Sequence, residues 1–260
     1  MNIRNITGNL YEADFNDTKH YTKQVIYFIL EGSRALLIDT GYEPEMLELK
    51  AYLDAEQISV EKIIISHYHE DHFTGLKVLT DIKNEFTILG SSEFSKTLEI
   101  EYKDDFLHDR DIYPTEFCEK LQFEYGGHQI RFYEAKGHSY CSIHTIIDET
   151  YIHTADDLIF DTNNTALLPL PCQSIMDQLD TMANLKKYVN GIYLGSHFSA
   201  GLNYITNMKA EIDARIGYLH KVLEYKGNVE YDIIKKNMFP VEFNPRWHGL
   251  VLGYYKEQLR

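Results

Sequence analysis

The most constraining feature of this sequence is a cluster of histidines directly after an apolar segment. Residues 60–65 read VEKIII and residues 66–72 read SHYHEDH, which gives the spacing H-x-H-x-D-H. A nearly continuous apolar run is typical of a strand buried on both faces. A turn at the end of such a strand can gather several imidazoles and a carboxylate, the ligands that suit zinc or a similar divalent ion. The spacing therefore predicts a metal site at a strand end.

The pattern around this cluster predicts alternating strands and helices, beginning with a hairpin whose turn contains Gly32. Strands are predicted at residues 24–30, 34–38, 60–65, 86–89, 120–125, 129–135, 142–147, 151–154 and 191–194. Helices are predicted from Pro44, at residues 73–83, at residues 173–188 and over most of the chain from Leu202 onward. Before residue 24 no strand is predicted.

Residues 91–117 differ in character from the rest of the chain. They are charged and aromatic and show no usable alternation of apolar and polar positions. Charge runs of this kind usually form solvated helix and loop. The segment is therefore predicted to be either such a surface excursion or a lid over a site.

Composition limits the partners that the chain can attract. With 260 residues, 44% of them hydrophobic, the chain can bury one sizeable core, or a core and a small appendage. Its 25 basic and 40 acidic residues give a net charge of −15, which repels nucleic acid and anionic membrane surfaces. We therefore expect a small-molecule substrate, no nucleic acid and no membrane as partners, and no feature indicates an oligomeric state.

The cysteines and the N-terminal residues bear on the compartment. The three cysteines, Cys118, Cys141 and Cys172, have no paired spacing and are typical of free thiols in a reducing compartment. The first residues contain no apolar stretch of signal-peptide length, and the longest apolar runs are too short to cross a bilayer. A cytoplasmic location is expected.

Over roughly residues 20–200 the sequence resembles the metallo-β-lactamase superfamily of αββα metallohydrolases. The segment LLIDTG at 36–41 is similar to the first motif of that family, and H-x-H-x-D-H is similar to the second. Gly137-His138-Ser139 is similar to the third motif, residues 154–158 are similar to the fourth, and Gly195-Ser196-His197 is similar to the fifth. In the fourth motif Ala155 stands where the family usually has glycine.

The resemblance implies the fold. It predicts an α/β (α+β) protein, a four-layer αββα sandwich over residues 1–200. Residues 201–260 are expected to form a helical C-terminal extension packed on it, similar to that of glyoxalase II-like and thioesterase-like relatives.

The resemblance also implies a ligand set for two divalent ions, zinc first, with iron or manganese as alternatives. One ion is expected on His67, His69 and His138, and the other on Asp71, His72 and His197. Asp156 is expected to bridge the two ions, although its neighbour Asp157 would take that role if the register slips by one residue. Asp39 is expected to support the ligands without binding metal.

Such a centre predicts a hydrolase. Two ions can lower the pKa of a shared water to about neutral, so that a metal-bridging hydroxide attacks the substrate. Asp71, or Asp156, is expected to orient the nucleophile and to handle a proton. A small ester or thioester is the predicted substrate. Two alternatives remain open: a small-molecule phosphodiesterase or lactonase of the same fold, and a non-catalytic metal-binding or sensing module.

Overall fold

The structure is a computed structural model that describes residues 1–15, 20–80, 86–103, 105–188, 190–238 and 240–259. Its strands are β1 Asn2–Thr7, β2 Leu10–Phe15, β3 Gln24–Glu31, β4 Arg34–Ile38, β5 Ser59–Ile64, β6 Thr87–Gly90, β7 Glu116–Phe117, β8 Gln122–Tyr125, β9 His128–Glu134, β10 Ile143–Ile147, β11 Tyr151–His153, β12 Ala166–Leu167, β13 Ile192–Leu194 and β14 Phe243–Asn244. Its helices are α1 Glu43–Ala55, α2 Glu70–Phe73, α3 Leu76–Thr80, α4 Phe94–Tyr102, α5 Ile175–Leu185, α6 Met208–Glu224, α7 Tyr231–Ile234 and α8 His248–Glu257.

Two mixed sheets form the centre of the molecule. The first has seven strands in the order β1-β2-β3-β4-β5-β6-β7, and the second has five in the order β13-β11-β10-β9-β8. Pairing in the first sheet is antiparallel from β1 to β4 and parallel from β4 to β7. In the second sheet β11 and β13 are parallel. The two short strands β12 and β14 pair separately and in parallel.

Three clusters of buried side chains separate four layers. Between the sheets, residues of the first sheet such as Tyr27 and Ile64 pack against residues of the second such as Ile143. On the outer face of the first sheet, its residues pack against α1, α3 and α4. On the outer face of the second sheet, its residues pack against α5, α6 and α8. The chain is therefore an αββα sandwich, as the fold prediction stated.

The C-terminal helices share a core with the sandwich. Met208 and Val251 belong to the same buried cluster as Ile146 and Ile152 of the second sheet. Residues on both sides of the predicted division at residue 200 thus contribute to one continuous apolar core. In the part of the chain that the structure describes, no helix is long and apolar enough to cross a membrane.

Most predicted elements are confirmed. The two-residue strands β7, β12 and β14 were not predicted, and two longer regions also differ. The pair β1 and β2 extends the first sheet ahead of the predicted hairpin. The helix predicted at 73–83 is two helices, broken at Gly75, where a Cβ atom would lie 2.4 Å from the backbone oxygen of Thr40. This close approach packs the turn against the loop after β4. The end of the predicted helix, beyond residue 80, lies outside the described residues.

Candidate metal centre

The predicted ligands lie at one edge of the sandwich, in turns that join strand ends. The segment that follows β5 carries His67 and His69, and His69 is the N-cap residue of α2, which carries Asp71 and His72. The other three ligands lie in the turn between β9 and β10 (His138), after β11 (Asp156) and after β13 (His197). The Ile143 amide donates to the Ser66 carbonyl over 2.9 Å and ties the two sheets together at this edge.

The first group of predicted ligands converges on one point. His67 Nε2 and His138 Nε2 each lie 3.0 Å from His69 Nδ1. The Asp156 carboxylate is the fourth member of this group, with Oδ2 3.5 Å from His138 Nε2. Nitrogen ligands at the usual zinc distance lie about 3.3 Å apart in a tetrahedron. The spacing of these atoms therefore fits one small divalent ion.

The second group faces the other oxygen of Asp156. His197 Nε2 lies 3.1 Å and His72 Nε2 lies 3.3 Å from Asp156 Oδ1. Asp71 completes the group, with Oδ2 3.3 Å from His197 Nε2 and Oδ1 3.5 Å from His72 Nε2. The two groups thus share one carboxylate, with one oxygen turned towards each.

Two polar atoms at the centre of the cluster have no hydrogen-bond partner among the described residues. They are His72 Nε2 and Asp156 Oδ1, and both are buried. Buried polar atoms are almost always paired, so an unpaired nitrogen and oxygen that face each other need a further partner. A divalent cation between them would supply it. The seven residues therefore fit a pair of metal ions.

Contacts on the far side of each ring set the orientation of the histidines. His138 Nδ1 lies 3.0 Å from the Leu170 carbonyl oxygen, and His197 Nδ1 lies 2.7 Å from the Lys23 carbonyl oxygen. Because a carbonyl oxygen only accepts, each of these Nδ1 atoms carries the proton. Each Nε2 atom is then the one turned towards the cluster: that of His138 offers its lone pair, and that of His197 would offer its lone pair once its proton is displaced.

Asp39 contacts His72, a member of the second group, on the side of the ring that faces away from the cluster. Its Oδ2 lies 2.8 Å from His72 Nδ1 and accepts from the hydroxyls of Ser66 and Ser196 over 2.8 and 3.1 Å. Its Oδ1 accepts from the Ser66 amide over 2.7 Å. Burial alone would raise the pKa of Asp39, but the adjacent His72 lowers it below its usual value. Asp39 therefore stays ionised and holds the His72 ring, and it does not face the cluster.

Glu101 is a site residue that the sequence pattern did not reveal. It lies on α4, within the charged segment of residues 91–117, and its Oε2 is 2.6 Å from His69 Nε2. A carboxylate that accepts from the outer nitrogen of a histidine orients the ring and makes it a stronger ligand. No periodicity or motif marked this residue.

The two neighbouring aspartates point in different directions. Asp156 lies in the cluster, whereas Asp157 is buried against His144 and the Gln178 amide. The preceding Ala155 has a φ of 45°, in the left-handed region that favours glycine. Because Asp157 is engaged with His144 and Gln178, Asp156 is the residue of the two that can bridge two ions.

The pKa shifts of the ligand histidines depend on their carboxylate neighbours. In the first group burial would lower the pKa of His69, but the adjacent Glu101 raises it above its usual value. Burial lowers the pKa of His67 and of His138, so both rings are neutral, as ligands must be. Burial would also lower the pKa of His72 and His197, but the nearby carboxylates of Asp71 and Asp156 outweigh this effect. They raise the pKa of His72 above its usual value and that of His197 to about 10. Metal binding in the second group would therefore displace protons from two imidazoles.

A cavity of about 620 Å³ opens onto the cluster. Its floor includes His69, Asp71, His138, Asp156 and His197. Its walls include residues of α4 and of the C-terminal segment around α8. Part of the 91–117 segment therefore lines the opening, and the volume suits a small-molecule ligand.

Taken together, the four-layer sandwich and the His/Asp cluster at its strand ends define an αββα fold with a candidate metal centre. The sequence profile of the metallo-beta-lactamase superfamily matches residues 22–156. The chain belongs to the metallo-beta-lactamase superfamily.

Individual relatives are distant. The chain is 24% identical over 174 residues to a hydroxyacylglutathione hydrolase from Glaesserella parasuis serovar 5 (strain SH0165), a match that covers 67% of this chain and 66% of that relative. It is 38% identical over 60 residues to a beta-lactamase-like protein 2 homolog from Drosophila melanogaster, covering 22% of this chain and 20% of that relative. The chain thus spans just under two thirds of the first relative's length and a fifth of the second's.

Solved structures share the fold. The native FEZ-1 metallo-beta-lactamase from Legionella gormanii superposes with a TM-score of 0.62 at 16% identity, covering 88% of this chain and 98% of that one. A metallo-beta-lactamase from Pontibacter korlensis gives a TM-score of 0.59 at 14% identity, covering 76% and 91%. At these identities the likeness concerns the fold alone.

Proposed function

We propose that this chain is a dinuclear-metal hydrolase that cleaves a small ester or thioester. The observation that carries the proposal is the convergence of the seven side chains on two adjacent points, with Asp156 between them. A purely structural zinc site is closed by four ligands and faces no cavity. Here the cluster forms the floor of a cavity, which favours an enzyme over a metal-binding module.

Each residue has a distinct task in this proposal. His67, His69 and His138 would hold one ion and Asp71, His72 and His197 the other, with Asp156 shared. A bound pair of divalent ions supplies an ionised water as nucleophile and a Lewis acid for the substrate oxygen.

Asp71 is suited to orienting the attacking water. Its side chain is 22% exposed and lines the cavity. Burial would raise its pKa, but His72 and His197 lower it, so the carboxylate stays ionised and accepts hydrogen bonds. In this role Asp71 aligns the nucleophile by accepting a hydrogen bond from it at a carboxylate oxygen.

Two observations support an ester or thioester over a phosphodiester. The relative from Glaesserella parasuis is named for hydrolysis of a hydroxyacylglutathione, which is a thioester. Among the described residues that line the cavity, none is lysine or arginine. A phosphodiester anion would therefore find no cationic side chain to bind it.

A substrate panel together with metal analysis tests the proposal. The native protein is expected to contain close to two ions per chain and to hydrolyse a thioester or ester in a panel that also holds lactones and aryl phosphodiesters. Asp71→Ala is expected to lower kcat/KM by about 100-fold or more. Asp54→Ala, on the exposed side of α1, is the matched control and should leave it unchanged.

Three results would contradict the proposal. A content of one ion per chain would remove the dinuclear centre. Turnover of phosphodiesters alone would reassign the substrate class. Equal activity of the Asp71→Ala variant and the native protein would remove Asp71 from the mechanism.

A further inference from the structure

The walls of the cavity carry an excess of negative charge. The described lining residues include no lysine or arginine. Five carboxylates line the cavity: Glu70, Asp71, Glu101, Asp156 and Glu257. Two divalent ions would add four positive charges, so the loaded cavity would still have no positive excess. The remote part of a substrate would therefore meet a negative wall.

Two of these carboxylates are free to meet a ligand. Asp71 and Asp156 face the metal cluster, and Glu101 is engaged with His69. The side chains of Glu70 and Glu257 belong to exposed residues, and neither has an ion-pair partner among the described residues. Glu70 begins α2 and Glu257 ends α8.

Aromatic side chains line the same cavity. They are Tyr42, Tyr102, Trp247 and Tyr254. The face of an aromatic ring attracts a cation, tryptophan most strongly, and the attraction grows when the cation leaves water. Rings beside free carboxylates are a combination that recognises ammonium groups.

The negative field reaches these rings. Burial raises the pKa of Tyr42 above its usual value, and the charges of Asp71 and Glu70 raise it further. Burial also raises the pKa of Tyr254, with Cys172, Glu101 and Glu257 adding to the effect. The contributions of Asp71 and Glu70 to the first shift, and of Glu101 and Glu257 to the second, show that both rings lie within reach of negative charge.

We infer that the substrate carries a compact cationic group, such as an ammonium, on the side remote from the scissile bond. Glu70 and Glu257 would pair with that group, and the rings of Tyr42, Trp247 and Tyr254 would cover it. The inference rests on the proposed function, because it takes the cavity above the metal cluster as the substrate site.

A pair of isosteric alcohols tests the inference without turnover. Choline and 3,3-dimethylbutanol have the same shape and the same hydroxyl, and only the first is charged. Trp247 is the single tryptophan of the chain and lines the cavity, so quenching of its fluorescence in the metal-loaded protein reports binding. Choline is expected to bind about tenfold more tightly than its neutral isostere. The anion isethionate is expected to bind most weakly.

Two charge-removing variants locate the effect. Glu70→Gln and Glu257→Gln are each expected to weaken choline binding about threefold and to leave 3,3-dimethylbutanol unchanged. Glu99→Gln, an exposed residue of α4 that does not line the cavity, is the matched control. Thermal unfolding of each variant confirms that the fold is intact.

The outcomes separate this inference from the proposed function. Equal affinity for the two isosteres, tighter binding of isethionate, no quenching by any of the three, or variants that weaken both isosteres alike would each overturn the inference. Hydrolysis of thioesters without a preference for the trimethylammonioethyl over the dimethylbutyl thioester would also overturn the inference and leave the proposed function standing. Preferential choline binding without hydrolysis of any ester would contradict the proposed function and leave only the preference of the cavity for a cationic ligand standing.

Discussion

Glu101 links α4 to the first group of ligands through a single contact with His69. Replacing it with glutamine keeps the shape but exchanges a charged acceptor for a neutral one. Glu101→Gln is expected to weaken zinc affinity by about tenfold to 100-fold, the usual effect of losing such a partner. Competition with a zinc-binding dye measures it, with Glu99→Gln as control. Equal affinities for the two variants would show that Glu101 does not support His69.

His153 couples stability to pH. It is fully buried behind the cluster, and burial lowers its pKa to about 4. Its unfolded value is about 6.5, so the unfolded chain takes up a proton first, and stability is lost as the pH falls from about 6.5 to about 4. The loss amounts to as much as about 3 kcal/mol.

Urea unfolding of the metal-free protein at pH 7 and pH 5 measures this coupling. His153→Gln, which retains a donor near the Ser196 hydroxyl, is expected to lose less stability between the two pH values than the native chain does. His220→Gln, at an exposed position on α6, is the control and should keep the native slope. Identical slopes for all three proteins would exclude His153 as the titrating group.

The ligand residues illustrate what a sequence can reveal. The motif H-x-H-x-D-H and the histidines at positions 138 and 197 stand at strand ends, where local pattern and resemblance both indicate them. The choice between Asp156 and Asp157 was not decided by sequence, because it depends on contacts of Asp157 with His144 and Gln178 that leave only Asp156 in the cluster. Glu101 was missed because its contact spans two distant segments and leaves no local periodicity.

At the scale of elements, the turn between β9 and β10 is packed unusually closely against α5. Gly137, next to His138, has a φ of 129°, and a Cβ atom there would lie 2.4 Å from the backbone nitrogen of Gln178. Gly137→Ala is therefore expected to cost at least about 2 kcal/mol of stability and to weaken metal binding by displacing His138. Chemical denaturation and zinc titration measure the two effects.

The matched control is another glycine in an open setting. A Cβ atom at Gly253, within α8, would meet nothing within 4 Å. Gly253→Ala is expected to stabilise the protein by up to about 1 kcal/mol, since alanine favours helix. A small effect of Gly137→Ala, similar in size to that of Gly253→Ala, would show that the turn can move away from α5.

The elements were predictable where periodicity was strong. The hairpin of β3 and β4 and the buried strand β5 follow directly from apolar runs and a glycine turn. The pair β1 and β2 was not predicted, because its residues mix charged and apolar side chains and acquire their strand character by pairing with β3. Helix α4 likewise gains its place by packing Phe94 and Leu98 onto the first sheet.

At the scale of the whole molecule, the shared core and the metal centre predict a single unfolding event. The C-terminal helices and the second sheet belong to one buried cluster, so the metal-free chain is expected to unfold in one calorimetric transition. Two separate transitions would show that residues 201–260 form an independent unit.

Zinc is expected to move that transition upwards. At a free concentration of 100 times Kd it would add about 2.7 kcal/mol per site and raise Tm by at least about 5 °C. Magnesium, which prefers oxygen ligands, is the control and should give little shift. Equal shifts with both ions would contradict a nitrogen-rich site.

The cavity joins parts of the chain that are far apart in sequence. Its floor comes from turns between residue 66 and residue 197, whereas Trp247, Tyr254 and Glu257 on its rim belong to α8 and the residue that caps it. Replacing residues on that rim would alter which molecules enter while every ligand atom stays in place. Selectivity and chemistry can therefore diverge independently during evolution, and exchanging α8 between homologues offers a route to new ligands on an unchanged metal centre.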